Sequence, residues 1–268
     1  MLNQKKIMTF NDIYRDVSDN AKLCSPRGLL VKEIEDYAYT LAPRDRFAAF
    51  TSRKLSVNYI KDELLWYLKG DRHDLSISEK AKIWQTVITD GQLNSNYGHY
   101  IFKRSLGNID YAYTLLKNDP DTRRASITIL DESHLYLDNR DVPCTYAINF
   151  RIRDGVLNAS VHMRSQDAVY GMGNDVPAFS FVHEMLCVML RDGPYPDLVM
   201  GPLHVAVDSF HVYERHFEML EKIKDEPQQA VFCPWISSHD EIEALRAGDV
   251  TGAARSFPFS RWLTQKEV

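Results

Sequence analysis

Asp154-Gly155 lies between two runs, Thr145 to Arg153 and Val156 to Met163, in which apolar and polar residues alternate. Alternation with period two is the mark of a strand with one face buried. An Asp-Gly pair supplies the two left-handed backbone conformations of a tight two-residue turn. The three features together predict an antiparallel hairpin, which a purely parallel, doubly wound sheet would not contain.

Helical signals surround the hairpin without regular βαβ spacing. Thr9-Phe10-Asn11 predicts an N-terminal cap for a helix running toward Asn20. Leu55 to Leu68 places Ile60, Leu64, Leu65 and Leu68 at helical spacing and stops at Gly70, so Glu63 is expected on a largely buried helix. Ala125 to Leu130 reads as a strand, Pro177 to Leu190 as a long core helix ending near Gly193, and Leu203 to Tyr213 as a further strand. Glu218 to Lys224 and Asp240 to Ala247 read as surface helices. The fold class expected is α+β. No linker, low-complexity tract or repeat divides the 268 residues, so residues 1–268 are expected to form one domain.

Composition narrows the partners. A chain that is 44% hydrophobic and 26% charged, with net charge −5, suits a soluble globular protein facing a small anion rather than a nucleic-acid polymer. Met1 to Lys6 is basic but has no apolar run behind it, and Val182 to Leu190 is interrupted by His183 and Glu184 and too short to span a bilayer. Cytoplasmic location and no membrane partner are therefore expected. Cys24, Cys144, Cys187 and Cys233 are scattered, without metal spacing, and are read as free thiols with no metal.

Several groups suit chemistry on a nucleotide. Pro143-Cys144 sets a thiol at a strand entrance, where the fixed φ of proline constrains the chain. Arg123-Arg124 offers a guanidinium pair for an anion, and Arg164-Ser165 pairs such a fork with a hydroxyl. Taken singly, each has a bland reading: Cys144 as a small buried hydrophobe, the arginines as a solvated pair, Trp84 and Tyr97 as core aromatics, His211 as a satisfied strand histidine.

In order and identity these fragments resemble the thymidylate synthases over most of the chain. Asp62 to Gly70 is similar to that family's Glu-Leu-Leu-Trp helix, Asp119 to Arg124 to its paired-arginine motif, and Pro143-Cys144 to its nucleophile motif. Arg164-Ser165-Gln166-Asp167 resembles its Arg-Ser-x-Asp motif, and Asp208 to Tyr213 its sugar-binding strand. The resemblance implies a large mixed sheet flanked by helices, a homodimer packed through that sheet, and 5,10-methylenetetrahydrofolate as one-carbon donor. It implies Cys144 as the thiol that adds to C6 of a pyrimidine, Glu63 as organiser of water and protons, and Tyr97 in removal of the C5 proton. Arg27, Arg164 and Ser165 would hold phosphate, with Arg123 and Arg124 reaching in from the partner subunit. His211 and Tyr213 would bind ribose; Ile83, Trp84, Asp167 and Gly171 would contact folate.

The departures from the family pattern point to a different base and product. Asp175 stands where thymidylate synthases have the asparagine that faces uracil, and an acid sharing a proton with N3 suits the cytosine edge. Ile83 to Val87, Asn94 to Gly98, Cys144-Thr145 and Met163 to Ser165 resemble the phage deoxycytidylate hydroxymethylases. Thr145 replaces a histidine and Val87 a second tryptophan, changes expected to admit water and give a hydroxymethyl product. Ala178, at a serine position of thymidylate synthases, leaves room for a 2′-hydroxyl, so CMP is favoured over dCMP, in a nucleoside-antibiotic type of pathway. Arg27 is followed by Gly28-Leu29-Leu30 in place of the family's glycine-rich loop, and lid closure by Val268 rests on a loose match of the tail. Two other classes stay open: a pyrimidine nucleotide C5-methyltransferase of the dUMP to dTMP type, and a non-catalytic nucleotide-binding regulator.

Overall fold

A computed structural model describes residues 6–266. The residues before Lys6 and the tail's Val268 lie outside them. In chain order the elements are α1 (Phe10–Asn20), β1 (Lys22–Cys24), β2 (Val31–Leu41), α2 (Val57–Lys69), α3 (Ile83–Val87), α4 (Ile109–Asn118), β3 (Ser126–Thr128), β4 (Thr145–Arg153), β5 (Val156–Asp167), α5 (Gly171–Arg191), β6 (Val199–Tyr213), α6 (Phe217–Ile223), α7 (His239–Arg246), α8 (Val250–Ser256) and α9 (Pro258–Thr264).

The hairpin forms as its turn residues require: Asp154 and Gly155 adopt φ of 52° and 71°, and β4 pairs antiparallel with β5. Six strands follow the order β1-β2-β6-β5-β4-β3. Every adjacent pair is antiparallel except β5 with β6, which α5 connects as a crossover. The result is a mixed sheet with flanking helices, as expected for α+β.

Several boundaries differ from the sequence reading. The strand expected from Ala125 to Leu130 keeps regular register with β4 only over β3, although backbone bonds to β4 continue on both sides, from Phe150 N to the Ala125 carbonyl at 2.9 Å and from Ile129 N to the Tyr146 carbonyl at 2.8 Å. The helix expected from Pro177 begins six residues earlier, at Gly171. Pro177 lies inside the helix rather than at its start and withholds one intrahelical N–H there, so burial against the core keeps the helix continuous through it. The eleven-residue strand β2, which no clean alternation announces, pairs along its length with β6 and completes the centre of the sheet.

Helix α5 is the core element. From Val176 to Leu190 every side chain is buried, against β5, β6, α2, α4 and α7. Burying one Leu, Phe or Met side chain contributes about 1.5–3 kcal/mol, so this helix is held by packing far more than by propensity. Midway along β2 the ladder with β6 is interrupted at Asp36, opposite Asp208, which has φ of 53°. On β6 the buried positions change there from Leu203, Val205 and Val207 to Phe210 and Val212, and on β5 from Val161 and Met163 to Gln166. That change of face turns Gln166 inward toward α5.

Candidate active site

Four segments converge on the same buried space. The first is α2, capped by Ser56, whose side chain accepts from Tyr59 N, and ended by Gly70 at φ 60°. Glu63 lies on its inward face and is 5% exposed. One turn earlier, the Tyr59 hydroxyl donates to Glu63 Oε1 at 3.2 Å and accepts the Trp84 indole N–H at 2.8 Å. Burial pushes the Glu63 carboxyl up to about 8; neighbouring Asp175 adds to the rise and the Tyr59 bond opposes it.

The second segment carries Tyr97. Its ring is stacked between Tyr67, at 5.7 Å and 4°, and Phe179, at 6.4 Å and 9°. The next residue must be glycine, since a Cβ on Gly98 would stand 1.7 Å from the Tyr67 carbonyl oxygen. Asp141 ties this loop to the approach to the thiol, accepting from Ser95 N at 2.8 Å and from the Ser95 hydroxyl.

Cys144 begins the third segment, immediately before β4. The register of β4 on β5 shifts between Thr145 and Ala147, a bulge that aims the preceding side chain away from the regular pleat. Arg164 on β5 fixes this entrance: its Nε donates to the Pro143 carbonyl at 3.0 Å and its Nη2 to the Val142 carbonyl at 2.7 Å. The same Nη2 is 3.5 Å from Cys144 Sγ. Burial raises the thiol pKa, the charges of Arg164 and Arg27 oppose the rise, and Asp175 and Asp141 add to it. Next in the chain, the buried Thr145 hydroxyl influences the Tyr97 phenol but reaches hydrogen-bond geometry with no described group.

The fourth segment is the start of α5. Asp175 Oδ2 accepts from Gln166 Nε2 at 2.9 Å, and Gln166 Oε1 accepts from the Tyr39 hydroxyl at 2.9 Å. Burial lifts the Asp175 carboxyl to about 7; the Gln166 bond opposes this and the charge of Asp167 adds to it. Glu63 and Asp175 are therefore coupled acids that hold protons near neutral pH, while Asp167, at the end of β5, accepts from Val169 N at 2.8 Å. A Cβ on Gly171 would lie 3.3 Å from Asp167 Cβ and 3.7 Å from Asp175 Oδ2, so its bareness keeps the two acids accessible to one another. Around Asp167, Tyr14 Oη, Arg53 Nη2 and His216 Nδ1 are buried without a hydrogen-bond partner among the described residues.

The remaining expected residues lie at the margins. His211 is paired in register with Asp167 and Glu33, and its ring meets Tyr213 edge-on at 5.0 Å. Ser165 pairs with Ser209 on β6. Ala178 is buried one turn beyond Asp175, beside Tyr67 and Tyr97. Trp84 is half-buried against Trp66 at 5.3 Å, whereas Ile83 is 65% exposed. Arg27 is exposed at φ 54°. Arg123 and Arg124 are exposed and, by the β3–β4 register, Arg124 lies seven strand positions from Cys144, roughly 23 Å. A single chain does not bring that pair to the thiol.

Tyr39, Tyr59, Arg53 and Asp141 were not singled out from sequence, nor was Gln166 given a role. Only Tyr59 had a readable signal, the i,i+4 relation to Glu63 on a helix. Tyr39 and Gln166 meet through the sheet, 127 positions apart, which no local pattern encodes. Among the described residues there is no His, Cys, Asp or Glu group able to hold a metal ion, and no helix long and apolar enough to cross a membrane.

Comparison with known proteins adds an independent line. Residues 8–251 match the family model described as thymidylate synthase. The deoxycytidylate 5-hydroxymethyltransferase of Enterobacteria phage T6 is 34% identical over 175 residues, covering 62% of this chain and 71% of the relative. The deoxyuridylate hydroxymethyltransferase of Bacillus phage SP01 is 28% identical over 226 residues, 78% of this chain and 57% of the relative. The thymidylate synthase of Corynebacterium aurimucosum is 28% identical over 203 residues, 71% of each.

Proposed function

The chain belongs to the thymidylate synthase family, and from that premise we propose that it is a cytidylate 5-hydroxymethyltransferase. As a family member it is a one-carbon transferase, and the family acts on nucleotides with methylenetetrahydrofolate. The observation that carries the finer reading is Asp175: a half-buried acid, held by Gln166, that keeps its proton up to about pH 7 within electrostatic reach of both Cys144 and Glu63. A shared proton between this acid and N3, with its second oxygen accepting from the exocyclic amino group, satisfies the whole cytosine edge.

Cys144 adds to C6 of the base, which makes C5 nucleophilic. The Arg164 and Arg27 charges lower the cost of the thiolate that this attack needs. Glu63, protonated near neutral pH and oriented by Tyr59, gives and takes protons at the base. Tyr97, clamped between two rings, assists removal of the C5 proton.

The folate fits the residues present. Trp84 offers a half-buried indole face, Gly171 leaves space between Asp167 and Asp175, and buried Arg53 Nη2 and Tyr14 Oη lack partners beside Asp167. When bound, it supplies the one-carbon unit delivered to C5. Trp84, Ile83, Asp167 and Gly171 would hold it. Thr145 and Val87, standing where the family pattern has a histidine and a second tryptophan, favour a hydroxymethyl product by admitting water.

For the nucleotide, His211 and Tyr213 bind ribose, and small Ala178 leaves room for a 2′-hydroxyl, which favours CMP over dCMP. Arg27, Arg164 and Ser165 hold phosphate, together with Arg123 and Arg124 of the partner subunit. The reading takes residues 1–268 as one domain acting as a homodimer, in the cytoplasm, within nucleoside-antibiotic synthesis. The distance of the paired arginines from Cys144 and the partly exposed sheet face bearing Ala147, Asn149, Arg151 and Ala206 support the dimer.

The deciding experiment supplies methylenetetrahydrofolate with CMP, dCMP, UMP or dUMP and follows C5-hydrogen exchange and product mass. Exchange confined to cytidylates with a hydroxymethyl mass is expected, and Cys144→Ala should lower it at least about a thousandfold. A methylated product with dihydrofolate would replace this reading by a methyltransferase. Full activity of Cys144→Ala would leave a nucleotide-binding regulator.

A further inference from the structure

We propose that Gln166, held by Tyr39, is a positioning residue that fixes which oxygen of Asp175 carries the proton and thereby sets the choice of base. The inference rests on the cytidylate reading above and adds to it. A carboxylic acid that keeps its proton is not selective by itself. It has one donor oxygen and one acceptor oxygen, and moving the proton between them exchanges the two roles. One arrangement, with the donor at N3 and the acceptor at the amino group, matches cytosine. The reverse, with an acceptor at N3–H and a donor at O4, matches uracil. Something else must hold the polarity.

The structure supplies it in two links. Gln166 Nε2 donates to Asp175 Oδ2 at 2.9 Å, so Oδ2 is occupied as an acceptor. Asp175 Oδ1 has no protein hydrogen bond among the described residues and is left as the oxygen that shares its proton with a ligand. An amide can flip, which would turn Gln166 Oε1 toward Asp175 and reverse the polarity. Tyr39 prevents this. Its hydroxyl, on a side chain 1% exposed, donates to Gln166 Oε1 at 2.9 Å. Flipping the amide would leave that buried O–H facing another donor, with no other described acceptor. Gln166 itself is 3% exposed and cannot turn to water instead. In the cytosine complex Oδ2 therefore accepts from both the Gln166 amide and the exocyclic amino group, one per lone pair, while Oδ1 faces N3.

Tyr39 lies on β2, Gln166 on β5 and Asp175 on α5, so the relay crosses from the sheet to the helix. None of its links touches Cys144. The inference therefore separates base choice from the covalent step.

The test compares C5-hydrogen exchange of CMP and UMP in the wild type, Gln166→Met and Tyr39→Phe, with methylenetetrahydrofolate present. Gln166→Met keeps side-chain volume and removes both bonds. The uridylate-to-cytidylate ratio of kcat/KM is expected to rise about tenfold in that variant and about threefold in Tyr39→Phe, carried mainly by KM. A purely structural role would lower both substrates together and leave the ratio unmoved. Unchanged ratios in both folded variants would overturn the inference and leave the cytidylate reading standing. A wild type that exchanges UMP faster than CMP would instead remove the reading beneath it. Should Gln166→Met fail to fold, Tyr39→Phe, which deletes one oxygen, decides on the same ratio.

Discussion

The two ends of the candidate site handle charge in opposite ways. At the base end, Glu63, Asp175, Tyr97 and Gln166 are enclosed by helices and sheet, and burial keeps both acids protonated to about pH 8 and about pH 7. At the end proposed for phosphate, Arg27 stands exposed on a short turn, and Arg123 and Arg124, proposed to come from the partner subunit, stand exposed beside an edge strand. The contrast fits what each end is proposed to read. A base edge differs from its rival by the placement of single hydrogens, which only a dry, fixed set of donors and acceptors can distinguish. A phosphate dianion is recognised by charge, which exposed guanidinium groups supply without prior ordering.

Replacing Asp175 by Asn attacks the base end most directly. The amide can flip to donate to O4, so the cytidylate preference should fall about a hundredfold or invert, measured as the ratio of kcat/KM for CMP and UMP. Retained preference would remove the distinction between the two ends. Next in size, Arg123→Ala or Arg124→Ala should raise the nucleotide KM about tenfold, more steeply at low salt, with kcat little changed. Mixing Arg124→Ala with Cys144→Ala protein should then return the nucleotide KM toward the wild-type value through mixed dimers, provided the paired arginines act across an interface. Failure of this rescue would return them to a solvated surface role.

Stability against pH tests the same contrast without substrate. Both acids have folded-state pKa values above their ordinary ones, so between about pH 4.5 and 7 these two groups bind more protons in the folded protein than in the unfolded chain, whereas buried His183, held down to about 4, binds fewer up to about pH 6.5. The part of the stability owed to the two acids should therefore fall as pH rises through that window, with a slope of up to about 1.4 kcal/mol per pH unit for each group. Thermal melts should show the slope flattening in Glu63→Gln and in Asp175→Asn, but not in Arg124→Ala. The smallest effect concerns the sugar. Ala178→Ser fills the space beside Tyr97 and should shift the CMP-to-dCMP ratio toward dCMP by about threefold, an unchanged ratio ending the argument from size.

Much of this was present in local sequence. Asp154-Gly155 forces a hairpin because few other pairs accept two positive φ angles, and Thr9, Ser56 and Gly70 bound α1 and α2 by capping chemistry that acts within a few residues. The spacing of Ile60, Leu64 and Leu68 puts Glu63 on an inward face. These features were legible because each depends on neighbours in the chain.

Tertiary structure alone decided the rest. It brought Tyr39, Gln166 and Asp175 into one relay, set the bulge beside Cys144 and closed the Trp84, Tyr59, Glu63 chain. It also placed Arg124 far from the thiol of its own chain. Hydrogen bonds between distant strands and helices, and the loss of water around an acid, are properties of the packed molecule, and no pattern of neighbouring residues contains them.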